Sequence, residues 1–291
     1  MNMKYFATLH LPDYRDIAFE NFLSRGIDFE TNRIIEQDVS DELGRNKTAS
    51  QRYADIGNDK YFCGFYESAL KYYALALRKN QNEIDAWVGQ IRVLIDCGRF
   101  TEALFWAEKG CMRLSGSENM ELAEALALAH AGKIQQARAL VNKPVKKNES
   151  PIRWLFRGEV MIKLTVGFFQ KIIKPYKRIN KIGAFFCFIK ALESNPRDGF
   201  LNQRIGIAYL HAHDFDRAYA HLKTALITAP QNPLTLYCLA DYYRRRHDYR
   251  NALYYTKKAI AFNPQLDAAI ELLQWLYSPY GKFMRRVRTL L

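Results

Sequence analysis

The 291-residue sequence has no apolar run that approaches the roughly 18 residues of a membrane-spanning helix. Its start, MNMKYFATLHLPDYRD, is broken by His10, Pro12 and Asp13. It lacks the apolar centre and small-residue cleavage site of a signal peptide. Cysteine is scarce: five residues, at 63, 97, 111, 187 and 238, with no CxxC pair. An odd, scattered set without a secretion signal argues against a disulfide framework and for a cytoplasmic protein. The same scatter leaves no zinc-ligand spacing. With only 15 Gly and 9 Pro, collagen-like and low-complexity chains are excluded. The dinucleotide fingerprint, the phosphate loop, the nucleophile elbow and the helical zinc-protease motif are all absent. Acid is missing locally: residues 160–192 hold seven bases and no acid, and residues 280–291 hold four bases and no acid.

What is present is an ordinary globular mixture, 49% hydrophobic and 25% charged, with 18 Tyr and 18 Phe to fill a core. The net charge is +13, yet residues 1–49 hold nine acids against six bases, so the excess is local. Lys143, Lys146 and Lys147 form a further basic cluster. Local basic patches point to an acidic partner, a nucleic acid or an anionic membrane surface.

An internal period organises the chain. Ala184, Ala218 and Ala252 stand 34 residues apart, as do Pro196, Pro230 and Pro264, and Ala69, Ala103 and Ala137 earlier. Three residues before these alanines stand Tyr66, Phe100, Ile134, Phe215 and Tyr249. Five before stand Gly64, Gly98 and Gly132, then His213 and His247. Seven after stand Ala76, Gly110, Ala191, Ala225 and Ala259. Twelve before, allowing for an insertion in the fourth copy, stand Gly57, Ala125, Gly158, Gly206 and Ala240. Small residues recur where two helices must approach closely, and large ones fill the space beside them. The glycine column marks a bend where positive φ is cheap. The prolines stop the second helix of each pair. A single pair cannot bury its apolar face, but stacked pairs bury a continuous core.

This pattern resembles the tetratricopeptide repeat family, most clearly in FLNQRIGIAYLHAHDFDRAYAHLKTALITAP (200–230) and LTLYCLADYYRRRHDYRNALYYTKKAIAFNP (234–264). Six repeats are expected, at 50–83, 84–117, 118–150, 151–198, 199–232 and 233–266, the fourth with an insertion at about 165–178. Pro144 and Lys181 depart from the family's small and aromatic positions. Residues 1–49 form an N-terminal extension, with YRDIAFENFLSRGI and NRIIEQDVSDELG as candidate helices. DAAIELLQWLY (267–277) reads as a capping helix within 267–279, followed by a basic tail at 280–291. The resemblance implies an all-α, right-handed solenoid whose first helices line a concave groove that binds a peptide or a partner's helix. Spacings of four and three along each first helix place Asn58, Tyr61, Val88, Arg92, Ile95, Leu122, Leu126 and Ala129 on that inner face, then Leu155, Glu159, Ile162, Gln203, Ile207, Leu210, Tyr237, Asp241 and Arg244. The middle of this stripe is apolar and its ends are polar, which suits an amphipathic or extended partner. The competing reading packs the central leucines against the chain itself. A lysine–asparagine clamp of the kind some family members use is not expected, because only Asn58 fits its pattern.

Two basic amphipathic segments stand outside the repeat. In TVGFFQKIIKPYKR (165–178), Phe168, Phe169, Ile172, Ile173 and Tyr176 accompany Lys171, Lys174, Lys177 and Arg178. In YGKFMRRVRTLL (280–291), Tyr280, Phe283, Met284, Val287 and Leu291 are spaced by three or four, beside Lys282, Arg285, Arg286 and Arg288. Basic amphipathic helices read as membrane-surface or partner-binding segments. Direct nucleic-acid binding is not expected, since the faint helix-turn-helix pattern in VSDELGRNKTASQRY would overlap the first repeat. His211, His213, His221 and His247 read as turn and packing residues rather than metal ligands. The expected function is a non-enzymatic adaptor with no cofactor or metal, cytoplasmic, binding an acidic or amphipathic partner. The alternative is a peripheral membrane tether or assembly factor that uses 165–178 and 280–291.

Overall fold

The computed structural model describes residues 47–142, 150–169 and 181–288. The candidate helices of 1–46, the lysine cluster at 143–149, most of the basic insertion and the last three residues lie outside the described residues. All regular structure among the described residues is helical. In chain order the helices are α1 (Ala49–Phe62), α2 (Tyr66–Lys79), α3 (Ile84–Asp96), α4 (Phe100–Arg113), α5 (Glu118–His130), α6 (Ile134–Val141) and α7 (Pro151–Phe169). They continue with α8 (Lys181–Leu192), α9 (Gly199–His211), α10 (Phe215–Thr228), α11 (Pro233–Arg245), α12 (Tyr249–Phe262), α13 (Asp267–Tyr277) and α14 (Pro279–Arg288). The chain forms two compact units. One holds 47–61 and Tyr66–Met120; the other holds Phe62–Phe65 and the described residues from Glu121 on.

The helical hairpins repeat on the 34-residue step. Five described bends use the column read from the sequence: Gly64, Gly98 and Gly132 have φ of 78°, 74° and 82°. His213 and His247 take the same left-handed conformation at 57° and 61°, and both are exposed. Histidine is among the few non-glycine residues that enter this region. Side chains cap several helix starts, although Asp214 at the start of α10 makes no such bond. Asp198 Oδ1 accepts from Leu201 N at 2.8 Å, and Asn232 Oδ1 accepts from Thr235 N at 2.9 Å, with Pro233 in the first turn of α11.

The small-residue column is explained by one recurring contact. A Cβ added at Gly57 would lie 2.6 Å from the Tyr73 ring, and one at Gly206 would lie 2.7 Å from Leu222 Cγ. At Gly158 it would overlap the Phe188 ring. In each case the glycine of the first helix receives the large side chain of the second. In the first unit α2, α3 and α4 pack in sequence around buried Tyr73, Trp87, Ile91 and Leu94. Trp87 and Trp106 lie 5.8 Å apart, and Trp87 Nε1 donates to Gln81 O at 2.9 Å.

In the second unit three first helices each touch their own partner and the helix that follows it: α7 meets α8 and α9, α9 meets α10 and α11, and α11 meets α12 and α13. One cluster joins Leu155, Phe188, Ile205, Tyr209 and Ala218. Another joins Ala240, Tyr249, Ala252, Leu272 and Leu276, so α13 covers the last hairpin and α14 packs onto α12 and α13. Among the described residues no helix is long and apolar enough to cross a membrane.

Candidate interaction surface

The positions assigned from the sequence to an inner face meet very different surroundings. In the first unit Asn58 is exposed, and Tyr73 Oη donates to its Oδ1 at 2.8 Å. Tyr61 is buried and donates to Asp96 Oδ2 at 2.8 Å, while Arg92 Nε reaches Tyr61 Oη at 3.4 Å. Arg92 is itself buried, and Val88 and Ile95 beside it belong to the core. In the second unit Leu122, Leu126, Ala129, Leu155, Ile162 and Leu210 are all buried. Their large apolar faces serve packing within the fold.

The buried polar members of the stripe are engaged internally. Glu159 Oε1 accepts from Arg204 Nε at 3.1 Å, an ion pair between α7 and α9 with each side chain only 7% exposed. Gln203 is 0% exposed, and its Nε2 is shared among Phe62 O, Asn232 Oδ1 and Thr235 Oγ1 at 2.8–3.0 Å. Asn232 Nδ2 adds a bond to Phe62 O at 3.0 Å, and Asn263 Nδ2 reaches Gly64 O at 3.3 Å. Phe62 also meets Phe200 edge-on, with ring centroids 6.0 Å apart. The short Phe62–Phe65 segment is therefore held by side chains of two repeats within its own unit.

Three inward residues stay half-exposed: Ile207 on α9, and Tyr237 and Arg244 on α11. Between the last two, Asp241 is buried and binds two cations, Arg244 Nη2 at 2.6 Å and Arg245 Nε at 2.7 Å. Burial and the Asp241 charge push the Tyr237 hydroxyl well above the usual tyrosine range, so it stays a protonated donor. This end of the stripe offers an apolar side chain, an aromatic ring and a guanidinium. Of the basic residues singled out in the sequence, Lys282 is exposed, and Arg285, Arg286 and Arg288 lie within α14. Lys171, Lys174, Lys177 and Arg178 lie outside the described residues.

The structure also assembles groups that the repeat columns do not single out. Tyr219 stacks on Tyr242 at 5.1 Å, and Tyr243 stacks on Tyr255 at 5.4 Å, with Tyr242 and Tyr243 in edge contact. Burial raises the hydroxyl pKa of Tyr242, Tyr243 and Tyr255, so all three hold their protons near neutrality. On α8, Phe185, Phe186 and Ile189 are exposed; Arg217 lies 4.8 Å over the Phe185 ring. The signal for the tyrosine cluster was the YY pair at 242–243, but its partners come from two other helices. No group of three or more His, Cys, Asp or Glu side chains among the described residues is arranged to hold a metal.

No family model matches the sequence, and no curated protein matches it. Solved structures do. A tetratricopeptide repeat protein from Parabacteroides merdae is 15% identical, aligns over 87% of this chain and 97% of its own, and gives a TM-score of 0.49. A thermophilic tetratricopeptide repeat protein of Thermus thermophilus is 20% identical over 79% of this chain and all of its own, with a TM-score of 0.41. YrrB, described as a tetratricopeptide repeat protein with an unusual peptide-binding site, is 16% identical over 68% of this chain and 96% of its own, with a TM-score of 0.40. These are proteins of repeated helical hairpins, as this chain is.

Proposed function

We propose that the chain is a non-enzymatic interaction scaffold that holds a segment of a partner protein against its first helices. The observation that carries this reading is the inner stripe of the last two hairpins. Almost every other inward position is buried by the fold, whereas Ile207, Tyr237 and Arg244 keep part of their surface free. An apolar anchor, a tyrosine and an arginine on adjacent first helices match a short amphipathic segment that carries a carboxylate. Asp241 pre-orients Arg244, which lowers the side-chain entropy lost when that carboxylate docks. The absence of a catalytic motif from the whole sequence agrees with a role in holding rather than converting a substrate.

The test is capture of partners from the native host with the intact chain, followed by titration of the recovered partner against variants. Ile207→Asp and Arg244→Ala alter half-exposed residues, so helicity measured by circular dichroism should persist. Affinity should fall by roughly tenfold or more for each, the size expected when an interface anchor is lost. Unchanged affinity in both folded variants would move the partner off this stripe.

A further inference from the structure

We propose that α14 docks the protein reversibly on an anionic membrane surface. The helix is built with one side already committed. Ser278 Oγ accepts from Gly281 N at 3.1 Å, and Pro279 stands in the first turn, so the start of the helix is set. Gly281 is buried against the carbonyls of Trp275 and Leu276, and Met284 packs into the cluster around Leu272 and Leu276. The other side is open apart from an edge contact between the Tyr280 and Trp275 rings, 6.0 Å apart. Tyr280 and Phe283 are 59% and 60% exposed and stand three residues apart, hence on one face. In the sequence the same stripe continues at position 287.

Charge points to the occupant. No acid follows Glu271, while bases stand at 282, 285, 286 and 288. Lys282 is exposed, and Lys257 of α12 lies over the Tyr277 ring at 5.8 Å. Bases with no acid among them in the sequence, together with the exposed Tyr280 and Phe283 rings, suit a surface of uniform negative charge with an apolar interior. Aromatic rings settle at the headgroup level, and bases meet the anionic headgroups. The helix spans only ten residues, too short to cross a bilayer, so it lies in the interface.

The experiment is co-sedimentation of the full chain with vesicles of mixed phosphatidylglycerol and phosphatidylcholine, and with phosphatidylcholine alone. Binding is expected to the mixed vesicles only, and it should weaken steadily as salt is raised. Lys282→Glu changes an exposed residue and leaves the packed side intact. It should lower the partition coefficient by about fivefold or more. Tyr280→Ala combined with Phe283→Ala should lower it further, with the circular dichroism spectrum preserved. Equal sedimentation with both vesicle types, or with neither, overturns the proposal. So does full retention of binding by Lys282→Glu, or binding of an acidic protein through α14 with no binding of vesicles.

Discussion

Helices α3 and α9 have the same length, 13 residues, and each is buried on nearly every side, yet a buried glutamine amide fares differently in each. In α9, Asn202, Gln203 and Arg204 are all buried and all engaged. Asn202 Nδ2 donates to Pro196 O and Asp198 O, Gln203 binds the Phe62–Phe65 segment and α11, and Arg204 binds Glu159. In α3, Gln90 is 1% exposed and its amide makes no hydrogen bond with the described protein groups. The comparison shows why identical residue types differ in worth: a buried amide stabilises only when the surrounding fold supplies its partners.

The comparison breaks most sharply at the ion pair. Arg204→Leu strips the cation from a carboxylate buried between α7 and α9, so stability should fall by about 3–5 kcal/mol. Chemical denaturation of the variant checks this, and a loss below about 1 kcal/mol would mean that Glu159 is stabilised mainly by other groups. Next come the close approaches, one in each unit. Gly57→Ala and Gly206→Ala both push a methyl group into a large side chain of the second helix, and each should cost about 1–3 kcal/mol. Gly98, whose added Cβ would meet nothing, tests a different term. At φ of 74°, Gly98→Ala should cost about 1 kcal/mol through backbone strain alone.

The glutamines themselves should change stability with opposite signs. Gln203→Leu removes a shared donor from three acceptors and should cost about 1–3 kcal/mol, although the carbonyl of Gln203 makes no bond and its loss gives part of that back. Gln90→Leu removes a desolvated amide and should be neutral or stabilising by up to about 1 kcal/mol. Paired thermal melts decide it; equal losses at both positions would refute the distinction.

The smallest effect is a pH dependence. His221 is half-buried, stacked on Tyr209, with Nδ1 2.9 Å from Asn202 Oδ1. Burial, and secondarily the Arg217 charge, lower its pKa. Tyr209 beside it is pushed up to about 12 by burial, so it carries no charge to offset this. A base whose folded pKa lies below its unfolded value binds fewer protons when folded. The unfolded state then gains stability as pH drops through the ordinary histidine value of about 6.5, and the fold loses some. Stability should therefore decline modestly as the pH falls from about 7 to about 5. His221→Gln should flatten that part of the curve, and an unchanged slope would assign it to other groups.

Much of this was legible in the residues. The bend column placed positive φ at Gly64, Gly98 and Gly132, where glycine adopts it at little cost; that His213 and His247 share it is seen only in the structure. The small column predicted close approach at Gly57, Gly158 and Gly206. The sequence could place the inner-stripe residues on one helix face, since three- and four-residue spacing fixes a face. Their exposure was not legible. Leu126, Leu155 and Gln203 share the face of Ile207 and Tyr237 but are buried, and no repeat-internal spacing separates the two groups.

Local sequence thus determined the hairpins, their bends, their caps and the capping helix α13, because each depends on residues within one or two turns or one repeat of each other. The tertiary structure alone decided which inner positions meet water and which meet the chain. Gln203 bonds to a carbonyl 141 positions away, Asn232 to the same carbonyl 170 positions away, and Asn263 to one 199 positions away. Contacts at such separations join residues of different repeats, and no single repeat encodes them.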